Sequence, residues 1–180
     1  MAKSINGWTV LVPGSSLLST KTIPGTTRRI TMRRSVLPLF LALAYDYDDW
    51  LRSVDKGPLD DAGYAYRQAR AANDFSNHAS GTALDLNWRS EGAQGSAAGK
   101  AFFEDPEHRA KIEWLKTLYQ VVDWGGDWRA RDYMHWELSP GTTQAQVDAV
   151  IKHLGIGPLG VRHNDAHGKP LKDDRDGQLG

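Results

Sequence analysis

Two short stretches, Thr82–Trp88 and Tyr133–Leu138, alternate apolar and polar residues, and that alternation constrains the fold more than any other feature of the chain. A repeat of two is the side-chain period of a β-strand, so each stretch reads as a strand with one face toward a core and one toward a cleft. In the first, Leu84 and Leu86 share one face while Ala83, Asp85 and Asn87 share the other. In the second, Met134, Trp136 and Leu138 lie opposite Tyr133, His135 and Glu137. Aspartate is depleted from strands and costly to bury without a partner, so Asp85 needs a reason to be where it is.

A metal ion supplies that reason. Zinc takes nitrogen and oxygen ligands at roughly 2.0–2.2 Å, and hydrolytic sites pair three protein ligands with one open position. His78, Asp85 and His135 are the candidate ligands, with Gly81 allowing a sharp approach after His78. Hydrolysis also needs a carboxylate to take a proton from water and deliver it to the leaving amine, the role assigned to Asp132. Glu137 is placed to orient an imidazole through its second nitrogen, as carboxylates beside metal ligands often do. Together these are the parts of a metallopeptidase. A lone histidine is more often a satisfied core or surface residue, and His108, His153, His163 and His167 are read that way.

Ser76, His78, Gly81, Ala83 and Asp85 spell Ser-x-His-x-x-Gly-x-Ala-x-Asp, and Asp132 with His135 spells an acidic residue, two residues, then His. This pair of signatures resembles the zinc D-alanyl-D-alanine carboxypeptidase and L-alanyl-D-glutamate peptidase family. Aspartate at 132, where many members carry glutamate, is more like the phage endolysin branch. Gly63–Arg67 is similar to the family segment whose arginine contacts a substrate carboxylate or the developing oxyanion; Arg67 is the match, with Arg70 a competitor. Trp124–Trp128 resembles the lead into the second signature in peptidoglycan-cleaving members. The similarity is specific from about residue 60 to about residue 140 and loose before that.

The resemblance implies an α+β fold, a small antiparallel sheet flanked by helices of the Hedgehog and D-Ala-D-Ala-peptidase type. It implies zinc rather than another divalent ion, and places Ser76 and Trp128 among substrate or outer contacts. The implied partner is the bacterial peptidoglycan stem peptide, cut at L-alanyl-D-glutamate in preference to the D-alanyl-D-alanine carboxypeptidase reaction. A phage lysin of this kind is made in the host cytoplasm and reaches the wall after membrane permeabilisation. The alternative of another class is a non-catalytic zinc-containing wall-binding module, which has no need of Asp132. Trp88, Trp124 and Trp128 fit either core or groove, Trp136 is core by alternation, and Asp127 starts a turn after two glycines.

With 40% hydrophobic residues and seven tryptophans in 180, the chain can bury one sizeable core. Lysine plus arginine equals aspartate plus glutamate at 22 each, which gives no charge signal for nucleic acid or an anionic membrane. The absence of cysteine excludes a disulfide framework and a thiolate zinc site, and a monomer is expected. Met32–Ala44 imitates a secretory signal but lies inside the chain, and its apolar run falls short of the roughly 20 residues a membrane span needs. It reads instead as part of a buried helix over 34–53, with Pro38 in the first turn, and no signal peptide is read.

Gly7–Val12 suggests a short strand, followed by loop to about Thr27, and Thr26–Met32 a second strand or an extended lead into the helix. Further helices are expected over Asp105–Gln120, with Pro106 at its first position, and Thr143–Leu154, ended by Gly155. The catalytic domain is therefore drawn over 1–155. Residues 156–180, rich in Asp, Lys and Gly and without periodicity, read as a flexible tail.

Overall fold

The structure is a computed structural model that describes residues 1–69, 73–89 and 96–169. Arg70 and the last part of the expected tail, 170–180, lie outside the described residues. The fold is α+β, with two small antiparallel sheets. A hairpin of β1 (Leu18–Thr22) and β2 (Arg29–Arg33) leads into helix α1 (Leu37–Trp50). The second sheet has β5 (His135–Leu138) at its centre, between β3 (Ala83–Asp85) and β4 (Val122–Trp124). Helices α2 (Ala97–Phe103) and α3 (Pro106–Leu118) connect β3 to β4, and α4 (Gln144–His153) follows β5.

Helix α1 is the centre of the core. Pro38 sits in its first turn, where its missing N–H has no intrahelical role, and Leu39 to Ala44 are fully buried. A helix apolar all round must be enclosed, and α3, α4 and β2 enclose this one. Tyr47 packs edge-on to Trp136, ring centres 6.4 Å apart, which seats α1 on the core face of the second sheet. Trp124 and Trp136 lie side by side beneath it, so Trp124 belongs to the core. Asp105 caps α3 through its carboxylate, and Thr143 with Gln146 forms a capping box on α4, so both helices begin where their sequences signal.

The structure departs from the sequence reading in several places. Gly7–Val12 forms no strand; the N-terminal segment makes isolated bridges, Lys3 to Thr9 and Ser4 to Phe75, and is tied down further by single hydrogen bonds such as Leu11 N–H to Ala79 O at 2.9 Å. Leu18–Thr22, expected as loop, is a half-exposed hairpin strand whose pairing with β2 compensates for its polar sequence. The strand expected over Thr82–Trp88 stops at Asp85, because Asn87 turns the chain into the left-handed region with φ 54°. Strand β5 begins at His135, so alternation fails ahead of it: Tyr133 packs into the core against Phe103 and Trp124, while Met134 lines the cleft.

Residues 156–169 pack back onto the domain, in contrast to the expected tail. Arg162 is buried against α1, its Nε donating to the fully buried Asp46 at 3.0 Å, and Tyr119 donates to the same oxygen at 2.8 Å. Among the described residues no helix is long and apolar enough to cross a membrane.

Candidate metal centre

The site grows out of the register between β3 and β5. Asp85 stands directly opposite His135. The flanking pair exchanges a main-chain bond, Leu86 N to Met134 O at 3.0 Å, while Asp85 spends its own N–H and C=O on Ala62 along the other strand edge. Asp85 and His135 are thus a non-hydrogen-bonded pair, the closer of the two antiparallel arrangements, and both side chains leave the same face. On the opposite face Leu84 and Trp136 enter the core.

His78 arrives from a 3-10 turn, Asn77–Ser80, just ahead of β3. Ser76 caps that turn by accepting from the His78 N–H, and it lines the cleft. Gly81 ends the turn at φ 69°, and a Cβ there would stand 2.5 Å from Arg33 N, so both conformation and space call for glycine.

The donor atoms of His78, Asp85 and His135 all lie within 4.8 Å of one another. Asp85 Oδ1 is 2.8 Å from His135 Nδ1, and Oδ2 is 3.2 Å from His78 Nε2. The remaining ring nitrogens are engaged outward. His78 Nδ1 meets the Gly63 carbonyl, which only accepts, and so carries the proton. His135 Nε2 meets Glu137 Oε2 at 2.8 Å. In neutral rings that arrangement turns two bare nitrogens and a carboxylate toward one point, a convergence of lone pairs that calls for a cation. The buried His78 Nε2 has no hydrogen-bond partner among the described residues, as a metal-facing nitrogen would not. Two imidazoles and a carboxylate suit zinc, and their outward hydrogen bonds are those that orient metal ligands.

The local field agrees. Burial alone would lower the His135 pKa, but the Asp85 and Glu137 carboxylates, which accept hydrogen bonds from the protonated ring, outweigh it and raise it to about 9. Burial pushes the Asp85 carboxyl up, and the two imidazoles more than reverse this, leaving it well below the usual carboxylate range. The pocket therefore favours positive charge at the point between these groups.

Above them opens a cleft of ≈ 450 Å³. Asp132 lines it beside the three donors. Its N–H donates to Gly125 O at 2.9 Å, and a Cβ on Gly125 would stand 2.5 Å from Asp132 O and 3.1 Å from His135 Cβ. The turn Gly125–Asp127 is held to α3 through Asp127, which pairs with Arg109 and, at 2.6 Å, with Lys116. Asp127 is therefore an anchor as well as a turn residue. Trp128 flanks His135 with ring centres 5.1 Å apart and is 37% exposed, and Trp88 lines the cleft as well. Arg67 reaches the same cleft, and among the described residues its guanidinium makes no hydrogen bond or ion pair. The sequence reading missed Ile5 as a lining residue and Asn77 as the partner of Glu137; neither stands in a spacing pattern that would mark it.

Residues 69–138 match the family model described as D-alanyl-D-alanine carboxypeptidase. The match takes in His78, Asp85, Asp132, His135 and Glu137, and begins just after Arg67. No curated protein and no solved structure matches the chain.

Proposed function

We propose that the chain is a zinc-dependent peptidase that hydrolyses an amide bond in the stem peptide of bacterial peptidoglycan, at the L-alanyl-D-glutamate junction. The observation that carries the reading is the convergence of His78, Asp85 and His135 on one buried point beside Asp132 at the base of an open cleft. The match to the D-alanyl-D-alanine carboxypeptidase model supports the peptidase chemistry and the stem-peptide class of substrate. Asp132 in place of the commoner glutamate favours the L-alanyl-D-glutamate bond and the phage endolysin branch, and the Trp124–Trp128 lead into it is in keeping with a peptidoglycan substrate.

His78 through Nε2, His135 through Nδ1 and Asp85 through its carboxylate would hold the ion. Bound there, zinc supplies Lewis acidity, which acidifies water and polarises a scissile carbonyl. Asp132 takes the proton of the attacking water onto its carboxylate and returns it to the leaving amine nitrogen, first base and then acid. Its place is set by the main-chain bond to Gly125. Glu137 retains the His135 Nε2 proton and so fixes the ring. Arg67 binds a stem-peptide carboxylate through charge-assisted hydrogen bonds. Trp88, Trp128, Met134 and Ile5 give the cleft apolar walls suited to alanine methyl groups.

A second reading, D-alanyl-D-alanine carboxypeptidase, draws on the description of the matched family and on Arg67, which suits a terminal carboxylate equally well. Digestion of purified sacculi, followed by mass spectrometry of the new termini, separates the two. New amino termini on D-glutamate are expected. Release of D-alanine alone would transfer the assignment to the carboxypeptidase, and intact stem peptides would refute both.

A further inference from the structure

The N-terminal segment, which carries no part of either signature, is connected to Nε2 of His135, the ring nitrogen that faces away from the proposed metal, by an unbroken chain of buried hydrogen bonds. Asn6 N–H donates to Asn77 Oδ1 at 2.9 Å, and Asn77 Nδ2 donates to Glu137 Oε2 at 2.6 Å. His135 Nε2 meets that same oxygen at 2.8 Å. Asn6, Asn77 and Glu137 are 1%, 4% and 7% exposed, so water does not compete for these contacts.

The direction of the chain follows from its first link. A backbone N–H can only donate, so the Asn77 amide must turn its oxygen to Asn6 and its NH2 to Glu137. Glu137 Oε2 is then an acceptor at both of its contacts, and His135 must present Nε2–H to it. The lone pair of His135 is thereby left on Nδ1, 2.8 Å from Asp85. Asn6 is itself immobilised: its Nδ2 donates to Thr82 Oγ1 at 2.9 Å and to Leu138 O at 3.1 Å, while its Oδ1 accepts from Ser4 Oγ at 2.8 Å.

We infer that Asn77 is a positioning residue for the metal centre, and that the Ser4–Asn6 segment, through it, sets the tautomer and orientation of His135. The inference rests on the metal reading of the site and extends it to residues that neither signature contains. Position 77 falls on an unspecified place in the first signature, and residue 6 lies outside the matched region.

The test is the zinc dissociation constant by chelator competition, with the visible spectrum of the cobalt-substituted protein, for wild type and Asn77→Leu. Leucine approximates the shape of asparagine, cannot donate to Glu137 and leaves no room for a substituting water. Partners that orient metal ligands are typically worth about 10- to 100-fold in affinity, so a weakening of that size is expected, together with an altered cobalt spectrum. Asn77→Ala carries the same comparison should the leucine variant fail to fold. A variant that only melts earlier, with the wild-type zinc constant and cobalt spectrum, would overturn the inference and leave the metal centre standing. Failure of the wild type to bind stoichiometric zinc would instead remove the reading on which it rests.

Discussion

Replacing Arg162 with alanine should destabilise the fold severely, although the residue lies where the sequence suggests a solvated tail. Asp46 on α1 is fully buried, the Arg162 side chain is 2% exposed, and Nε stands 3.0 Å from Asp46 Oδ2. Arg162 also donates to Asn164 O at 2.6 Å, and its guanidinium lies 5.5 Å from the ring centre of Trp114 and 5.8 Å from that of Trp50. Removing the cation leaves a buried carboxylate that still accepts from the Tyr119 hydroxyl at 2.8 Å but has lost its counter-charge. Breaking a buried pair from one side costs about 3–5 kcal/mol, a large share of the ~5–15 kcal/mol that holds a domain together. At about 2–4 °C per kcal/mol for a chain of this size, the Tm should fall by roughly 6–20 °C. Urea and thermal unfolding followed by far-UV circular dichroism measure both quantities. The double variant Asp46→Leu with Arg162→Met, which removes both charges, should recover most of the loss, since buried pairs often exchange for apolar residues without penalty. A loss below about 1 kcal/mol for Arg162→Ala would refute the argument, because that is the range of an exposed pair.

Other outcomes follow from the site and its surroundings. Arg67→Ala should lower kcat/KM on stem peptides by about 10- to 100-fold, the loss of one charge-assisted contact of ~1.5–3 kcal/mol, with zinc content unchanged. Gly125→Ala should cut lysis by about 100-fold, as misplacement by ~1 Å does, because its Cβ would press on Asp132 and His135. Burial, with Asp60 nearby, raises Asp61 to about 6 against the pull of the Asn87 N–H and Arg28. The folded state then binds this proton more tightly than the unfolded chain does. Its contribution is complete below the ordinary aspartate range and lost as pH rises through about 6, so Asp61→Asn should flatten that fall in urea titrations across pH 4–8.

What the sequence made legible was what recurs at a fixed period. Leu84 and Leu86 against Asp85, and Trp136 and Leu138 against His135, gave both strands and their faces, and those faces bring the proposed ligands together. Tyr133 and Met134 broke the same rule because the strand starts only at His135, so alternation had no backbone to act on there. Helix α2 passed unseen: it has seven residues, too few to show a periodic face. Arg162 and Asn77 were illegible for a different reason. Each matters through long-range partners, Asp46 for Arg162 and both Asn6 and Glu137 for Asn77, and none of these pairings leaves a trace in local spacing.

The most direct test of the account is zinc content measured beside turbidity loss of a cell-wall suspension, for wild type and Asp132→Ala. The account predicts one equivalent of zinc per chain in both proteins and lysis by the wild type alone. A wild type without stoichiometric metal, or lysis that survives the substitution, would contradict it.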